Sequence, residues 1–346
     1  MTFSYLEASV AFLSSLIAVV IAGPSTIEFL RHLKMRQPVG VDAPQPVAHQ
    51  TKHGTPTMGG VLFVVGALVS ITVGFCKGWL LPDADAAKVA VVFGVLLLHM
   101  GLGFLDDYLK AVRGKAMGLK ARHKLVGQFI IALIFVVYLA VTSVQGVTTV
   151  VAIAPDYVLD ISPWIYYPLV IWFMMGLSNS VNLTDGLDGL ASGLSVLAFI
   201  GLALTTFGAS PDVSYFGWAM AGGCLGFLVF NGFPASVFMG DTGSLGIGAS
   251  LAAMAVLGKQ EAPALIFCLL FILETVSVVI QVVSFKTRGK RVFKMAPVHY
   301  HFELLGWREV QIVQRFWILG VITLWLGLIT AFAISPFLSV GPGSAR

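Results

Sequence analysis

Long apolar runs alternate with short polar stretches along this chain, and the runs set its architecture. Ten of them stand out, over about 4–22, 58–76, 87–105, 125–145, 164–181, 190–207, 215–230, 245–258, 263–285 and 314–335. About 20 apolar residues in helical form cross the hydrocarbon core of a bilayer, and only helices or closed barrels satisfy their own backbone there. The pattern predicts an all-α polytopic membrane protein of about ten transmembrane helices, a single domain over residues 1–346 with no internal repeat. The eighth run is short for a full crossing and is expected to tilt or break. The ninth carries a polar interruption, Glu274. The first has no basic segment before it and no small-residue cleavage site after it, so it reads as a retained span rather than a removed signal.

Composition sharpens this picture. Apolar residues make up 57% of the chain and charged ones 11%, whereas soluble domains are about 45–50% apolar and about 25% charged. Such a charge deficit excludes water as the main solvent. Cys76, Cys224 and Cys268 lie in apolar runs without a CxxC pair, and read as buried, inert thiols. The net charge of +4 matters less than its placement. Of the 21 lysines and arginines, all but Lys77, Lys88, Lys259 and Arg346 fall in or beside the connections after runs one, three and nine. Basic residues favour cytoplasmic loops, so these connections are expected in the cytoplasm and both termini in the periplasm. Every cluster of Asp, Asn, His and Gly falls on that cytoplasmic face, which is therefore expected to hold the active site.

Five aspartates stand at membrane boundaries on this face. Asp106 and Asp107 lie in LGFLDDYLK, Asp185 and Asp188 in NSVNLTDGLDGLA, and Asp241 in FNGFPASVFMGDTGSLGIG. A carboxylate at the bilayer centre costs about 2.5–3.5 kcal/mol, and less toward the interface. One isolated aspartate there would be a solvated helix end, and Asp188 a cap. Five, set in Gly- and Asn-rich turns on one side, point to function. Clustered carboxylates suit a hard cation such as Mg²⁺ and, with no Cys/His ligand spacing, not zinc. Like charges 4 Å apart repel by about 4 kcal/mol at an effective dielectric of about 20, so carboxylates facing a phosphate require a cation between them.

Two further motifs leave alternatives open. Lys52 and His53 precede GTPTMGG, residues 54–60, which is either an anion-binding turn or a plain Gly/Pro turn; it lacks the ending of a P-loop. In APVHYHFELLGW, residues 296–307, His299 and His301 face opposite sides of a segment read as extended. They either hold the loop or contact phosphate or sugar. The basic run before them, 286–294, faces either anionic headgroups or a polyanionic substrate. Glu7, His99 and Glu274 are isolated intramembrane polar residues. Transporters place ionisable groups near mid-membrane and carry repeats; here the acidic clusters lie at one surface. GxxxG at Gly222 and Gly226 permits close helix packing and a homodimer.

KHGTPTMGG, LGFLDDYLK, NLTDGLDGLA, FNGFPASVFMGDTGSL and PVHYHFELLGW, in this order and spacing, resemble the phospho-N-acetylmuramoyl-pentapeptide-transferase family. That family is a branch of the polyprenyl-phosphate N-acetylhexosamine-1-phosphate transferase superfamily. The resemblance runs from about Arg31 to the last span. It implies a multi-pass enzyme of the bacterial cytoplasmic (inner) membrane that acts in peptidoglycan synthesis with Mg²⁺. The implied reaction takes UDP-N-acetylmuramoyl-pentapeptide and undecaprenyl phosphate to lipid I and UMP; no nucleic acid is implied. It further implies that Asp106, Asp107 and Asp241 are essential, with Asp241 and Asp106 toward the metal. Lys52, Thr57, Asn182, Asp185, Gly186, Leu187, Asp188, Asn231, Phe238, Gly240 and Ser244 would line the substrate pocket, with the Phe238 ring on uracil. His299, in catalysis, and His301, in substrate binding, match the outer members of a triple-histidine motif. Tyr300 replaces the middle one, and a tyrosine can donate a hydrogen bond but carries no positive charge near neutral pH. The other reading is a transferase of N-acetylglucosamine-1-phosphate; residues 296–307 resemble the muramoyl branch, and a DRxHxHH-type pattern is absent. Direct attack by the lipid phosphate and a two-step route through a phosphorylated aspartate both remain open.

Overall fold

The computed structural model describes residues 4–33, 35, 54–80, 84–113, 118–142, 149–154 and 157–338; Lys52 and His53 lie outside these, as do residues 1–3 and 339–346. The helices are α1 (Tyr5–His32), α2 (Val61–Cys76), α3 (Ala84–Arg113), α4 (Ala121–Thr142), α5 (Pro163–Thr184), α6 (Leu190–Thr206), α7 (Pro211–Asn231), α8 (Gly240–Leu257), α9 (Glu261–Phe267), α10 (Leu269–Arg288), α11 (Val298–Glu303) and α12 (Glu309–Leu338). Among the described residues, α1, α3, α4, α7, α8, α10 and α12 are long and apolar enough to cross a membrane, while α2 and α6 are shorter apolar helices. The chain is a multi-pass membrane protein.

Local chemistry explains several boundaries. Ser4 accepts a hydrogen bond from Glu7 N (3.3 Å), and Glu7 Oε2 accepts one from Ser4 N (3.0 Å). This capping box makes Glu7 a helix cap rather than an intramembrane functional group. Helix α1 then continues ten residues past its expected end, through Pro24. Proline removes one backbone donor, but the extra turns bury Ile27 and Leu30 in the core. Helices α5 and α7 both start with proline, where its missing N–H costs nothing.

The eighth span is neither short nor broken: α8 starts five residues earlier than its apolar run and is almost wholly buried. Its Gly, Ala and Ser content lowers hydropathy but lets neighbouring backbones approach closely, so it lies in protein rather than lipid, packed on α3 and α5. The ninth run is split at Cys268 into α9 and α10. Glu274 itself sits buried in regular helix, with its Oε2 3.1 Å from His299 Nδ1 and accepting from His299 N at 3.4 Å. Cys224 and Cys268 are buried, but Cys76, the last residue of α2, is exposed, contrary to expectation. Gly222 and Gly226 pack on the α1 backbone at Phe12 and Leu16, so this GxxxG works within the chain.

A two-stranded antiparallel hairpin departs from the all-α expectation. Its strands, β1 (Val150–Ala154) and β2 (Tyr157–Asp160), pair Val150 with Asp160 and Ala152 with Val158, with an irregularity between Ala152 and Ala154. Chain order puts the ends of α1, α3, α5, α7 and α10, and the starts of α2, α4, α6, α8 and α12, at one end of the bundle. Among the described residues, that end carries the candidate site residues and the cations Lys110, Lys120, Arg122, Lys124 and those of 286–294. The hairpin lies at the other, against α9 and α12.

Candidate active site

The last turns of α3 bring the first charged groups. Asp106, Asp107 and Lys110 lie one helical turn apart, a spacing that lets their side chains meet. Lys110 Nζ is 2.5 Å from Asp106 Oδ2, 4.0 Å from Asp107 Oδ1 and 3.0 Å from Asp241 Oδ2. Lys124, in the first turn of α4, is 2.9 Å from the same Asp241 oxygen and donates to Asn182 Oδ1 at 3.2 Å. Asn182, near the end of α5, donates to Asp241 Oδ1 (2.6 Å) and to Ser244 Oγ (2.9 Å). Four helices thus meet on Asp241, which is 14% exposed, while Asp106 and Asp107 are buried.

The two aspartates of α3 are used differently. Asp106 Oδ1 accepts from Leu119 N at 2.6 Å. Asp107 turns toward the start of α8 and accepts from Thr242 N (2.9 Å), Thr242 Oγ1 (2.7 Å) and Asp241 N (3.3 Å). It caps α8 from another helix, placing negative charge at the positive end of that helix dipole. One oxygen from each of Asp106, Asp107 and Asp241 lies within 4.8 Å of the others. Three carboxylates at this spacing, with no soft donor among them, fit a hard divalent cation.

Residues 54–60 reach the same place by backbone pairing. Phe238 N donates to Pro56 O (2.8 Å), Gly59 N to Phe238 O (2.9 Å), Gly60 N to Met239 O (3.1 Å) and Thr57 N to Met35 O (2.9 Å). The amides of Thr57, Gly59 and Gly60 are spent within the protein, and these bonds dock the segment on the backbone at Phe238 and Met239. Gly240 makes the approach possible. Its φ is +73°, and a Cβ there would lie 2.5 Å from Asp107 Oδ2 and 2.7 Å from Thr57 Oγ1.

The turn between α5 and α6 borders the cluster. Burial raises the Asp185 carboxyl to about 8, and the charges of Asp241 and Asp107 push it the same way. Asp188 and Asn231 hold backbone: Asp188 Oδ2 accepts from Ala235 N (3.0 Å), and Asn231 bonds Gly189 N, Ser192 Oγ and Val237 O. Glu309, opening α12, accepts from Asp188 N at 2.7 Å. Leu187 is a buried apolar residue. A Cβ on Gly186 would be 2.5 Å from His299 Nε2 and 2.7 Å from the Tyr300 hydroxyl, so only glycine lets α11 sit on this turn.

The histidine segment is a helical turn rather than extended. His299 is fully buried; its Nδ1 is 3.1 Å from Glu274 Oε2, and its Nε2, without a hydrogen-bond partner among the described residues, faces Gly186. His301 instead accepts from Lys294 N at 3.1 Å and meets the Phe293 ring edge-on. Burial, then nearby carboxylates led by Glu303, raises the Tyr300 hydroxyl, which remains a neutral donor. Trp307 stacks on Phe302 and lies under the Arg315 guanidinium, 3.8 Å from its ring centre, anchoring the segment to α12.

The structure thus gathers Thr57, Asp106, Asp107, Asn182, Asp185, Asp241 and Ser244, with Gly186 and His299 at the border. Sequence reading missed Lys110, Lys124 and Thr242 as site residues and gave Glu274 no partner. Only Lys110 had a signal, its spacing from the aspartate pair; Lys124 and Asn182 are 58 residues apart in sequence.

Comparison with known proteins agrees with this geometry. Residues 89–259, which contain Asp106, Asp107 and Asp241, match Glycosyl transferase family 4. Residues 52–64 match the phospho-N-acetylmuramoyl-pentapeptide-transferase signature 1. The phospho-N-acetylmuramoyl-pentapeptide-transferases of Halalkalibacterium halodurans and Bacillus subtilis are each 44% identical over 311 residues, 89% of this chain and 92% and 93% of theirs. That of Desulforamulus reducens is 42% identical over 95% of this chain and 96% of its own. Likeness of this extent runs through every element that builds the aspartate cluster, and the chain belongs to the phospho-N-acetylmuramoyl-pentapeptide-transferase family.

Proposed function

We propose that this enzyme transfers phospho-N-acetylmuramoyl-pentapeptide from its UDP derivative to undecaprenyl phosphate, releasing UMP and forming lipid I for the cell wall. The observation that carries this reading is the convergence of Asp106, Asp107 and Asp241 with Lys110 and Lys124 beside the α5–α6 turn. It offers charge neutralisation for two phosphorylated reactants at one end of a membrane bundle. The distribution of lysine and arginine supports placing that end in the cytoplasm and both termini in the periplasm. Helices α2, α5 and α6, with α9 and α10 counted as one broken span, support ten crossings.

In the proposed direct route, a lipid phosphate oxygen attacks the sugar-bearing phosphorus in line, and the bond from that phosphorus to the UMP oxygen breaks. A phosphate monoester has a second pKa near about 6, so the nucleophile is mostly dianionic at neutral pH and needs little help from a base. The barrier is mainly one of positioning and charge. Mg²⁺ held by Asp241 and Asp106 would supply Lewis-acid neutralisation of the phosphates. Asn182 fixes the rotamer of Asp241, and Asp107 is a positioning residue, since its oxygens hold the first turn of α8. Lys110 and Lys124 offer cations to the phosphates. Phe238 offers a ring for uracil beside Thr57, and His299 a ring nitrogen at the turn of Asp185 and Gly186.

UMP release by the purified enzyme tests the proposal. Turnover is expected with UDP-N-acetylmuramoyl-pentapeptide and Mg²⁺, and none with UDP-N-acetylglucosamine or in excess chelator. Rapid-quench mixing without the lipid acceptor is expected to show no UMP burst; a stoichiometric burst with labelled enzyme would refute direct attack.

A further inference from the structure

The end of α10 presents cations that do not touch the aspartate cluster, whose ion pairs are made by Lys110 and Lys124. Lys286 and Arg288 lie on its last turn, and Lys290 and Arg291 follow the terminal Gly289; all four are exposed, and no partner engages their charged groups among the described residues. No Asp or Glu occurs between Glu274 and Glu303. Cations at a helix C-terminus complement its dipole, which accounts for Lys286 and Arg288. It does not account for Lys290 and Arg291, which lie beyond the helix.

The segment carrying those two is held in place. Gln281 Oε1 accepts from Val292 N and Phe293 N (both 3.0 Å), its Nε2 donates to Phe293 O (2.9 Å), and Ser284 Oγ donates to Lys290 O (2.9 Å). The chain therefore folds back along the last turns of α10 as a strap, and the four cations form one ordered patch. Apolar surface adjoins it: Phe285 is 56% exposed and Val292 55%, continuing the exposed face of α10. A water-facing loop has no use for exposed Phe and Val; a bilayer interface does. Cations clustered directly at the end of a crossing helix, beside apolar groups that enter the acyl region, match an anionic bilayer surface in both charge and depth.

We infer that the patch formed by Lys286, Arg288, Lys290 and Arg291 on the α10 strap is a docking surface for anionic phospholipid headgroups. Its occupant is bulk phospholipid, which brings a phosphodiester for the cations and acyl chains for Phe285 and Val292. Docking there anchors the strap, whose Lys294 and Phe293 contact His301 at the edge of the site.

The test uses the full chain in neutral detergent, supplied with phosphatidylglycerol or phosphatidylcholine, with retained lipid counted by native mass spectrometry. The wild type should retain phosphatidylglycerol preferentially, and about 0.5 M salt should weaken the preference. The combined variant Lys286→Gln, Arg288→Gln, Lys290→Gln, Arg291→Gln should reduce it by about tenfold or more. Lys120→Gln with Arg122→Gln, two exposed cations at the same end of the bundle, should change it less than about twofold. An undiminished preference in the four-site variant overturns the inference, as does an equal loss in the control pair, which would mean net charge alone. So does a four-site variant that keeps phosphatidylglycerol but loses undecaprenyl phosphate or raises KM for the UDP-sugar, since the surface would then serve a substrate.

Discussion

Gly103 is the point where α3 and α8, the helices that carry the aspartate cluster, touch. A Cβ placed there would lie 2.1 Å from the Asp241 carbonyl oxygen, 2.4 Å from its carbonyl carbon and 2.7 Å from Thr242 N, where ordinary contact begins at 3.4 Å. These are backbone atoms in the first turn of α8, so no side-chain rotation relieves the clash. Helices α3 and α8 must part by about 1 Å, an overpacking that costs about 1–3 kcal/mol. The same displacement stretches the bonds from Thr242 N and Oγ1 to Asp107, now 2.9 and 2.7 Å, and moves Asp241 away from Asp106. Misplacing reacting groups by about 1 Å costs about 10²-fold in rate.

Gly103→Ala is therefore expected to insert and fold, with a modestly lowered unfolding midpoint, while kcat for UMP release falls about 100-fold. Gly101→Ala, two residues away on the same helix, is the internal control. Nothing lies within 4 Å of a Cβ there, and alanine favours helix over glycine by about 1 kcal/mol. It should behave as wild type or be slightly more stable. Initial rates at saturating substrates, with thermal unfolding in the same detergent, measure both. A Gly103→Ala enzyme within about threefold of wild-type kcat would refute the claim that this contact sets the distance between the carboxylates.

Three other outcomes follow from the site. Asp241→Asn should fold normally yet lose most turnover, and near-normal activity at saturating Mg²⁺ would count against a ligand role. Glu274→Ala removes the buried carboxylate that faces His299 and should lower stability by about 1–3 kcal/mol, while Glu274→Gln, which keeps the shape and an acceptor for His299 N, should cost less; equal unfolding midpoints for the two would exclude the pairing. Asp185, raised from 3.8 to about 8, keeps its proton in the folded chain after the unfolded chain has lost it. The unfolding free energy of metal-free protein should therefore fall as pH rises from about 4 toward 8 and level off above. Asp185→Asn should remove that slope, and parallel curves for the two proteins would refute it.

Much of the fold is written in the apolar runs because lipid-facing helices advertise themselves. Helices α4, α10 and α12 show outward faces of Leu, Ile, Val and Phe, and those faces are what hydropathy detects. Helix α8 has no such face. Its surroundings are other helices, so Gly, Ala and Ser replace large residues, and its first turn, GDTGS, reads as a polar loop although it is helix. The hairpin was missed for a related reason. Its β-branched residues lie between two spans, where attention to crossings leaves only a short connection.

The site shows the same division between what neighbours in sequence reveal and what only packing decides. Every aspartate of the cluster was visible as a charge at a membrane boundary, and Lys110 lies within reach of both Asp106 and Asp107 by its i+4 and i+3 spacing. Which of the two carboxylates holds the start of α8 is a different matter. Asp107 differs from Asp106 only because Gly103 and Gly240 let α8 come within hydrogen-bonding distance of it, and no property of the dipeptide itself tells them apart. The histidines divide likewise: two residues apart on a helical turn, His299 is buried against Glu274 while His301 binds the strap. The roles of paired motif residues here are set by which backbone a glycine admits, so the glycines of α3, α8 and the α5–α6 turn are as much part of the active site as the acids they position.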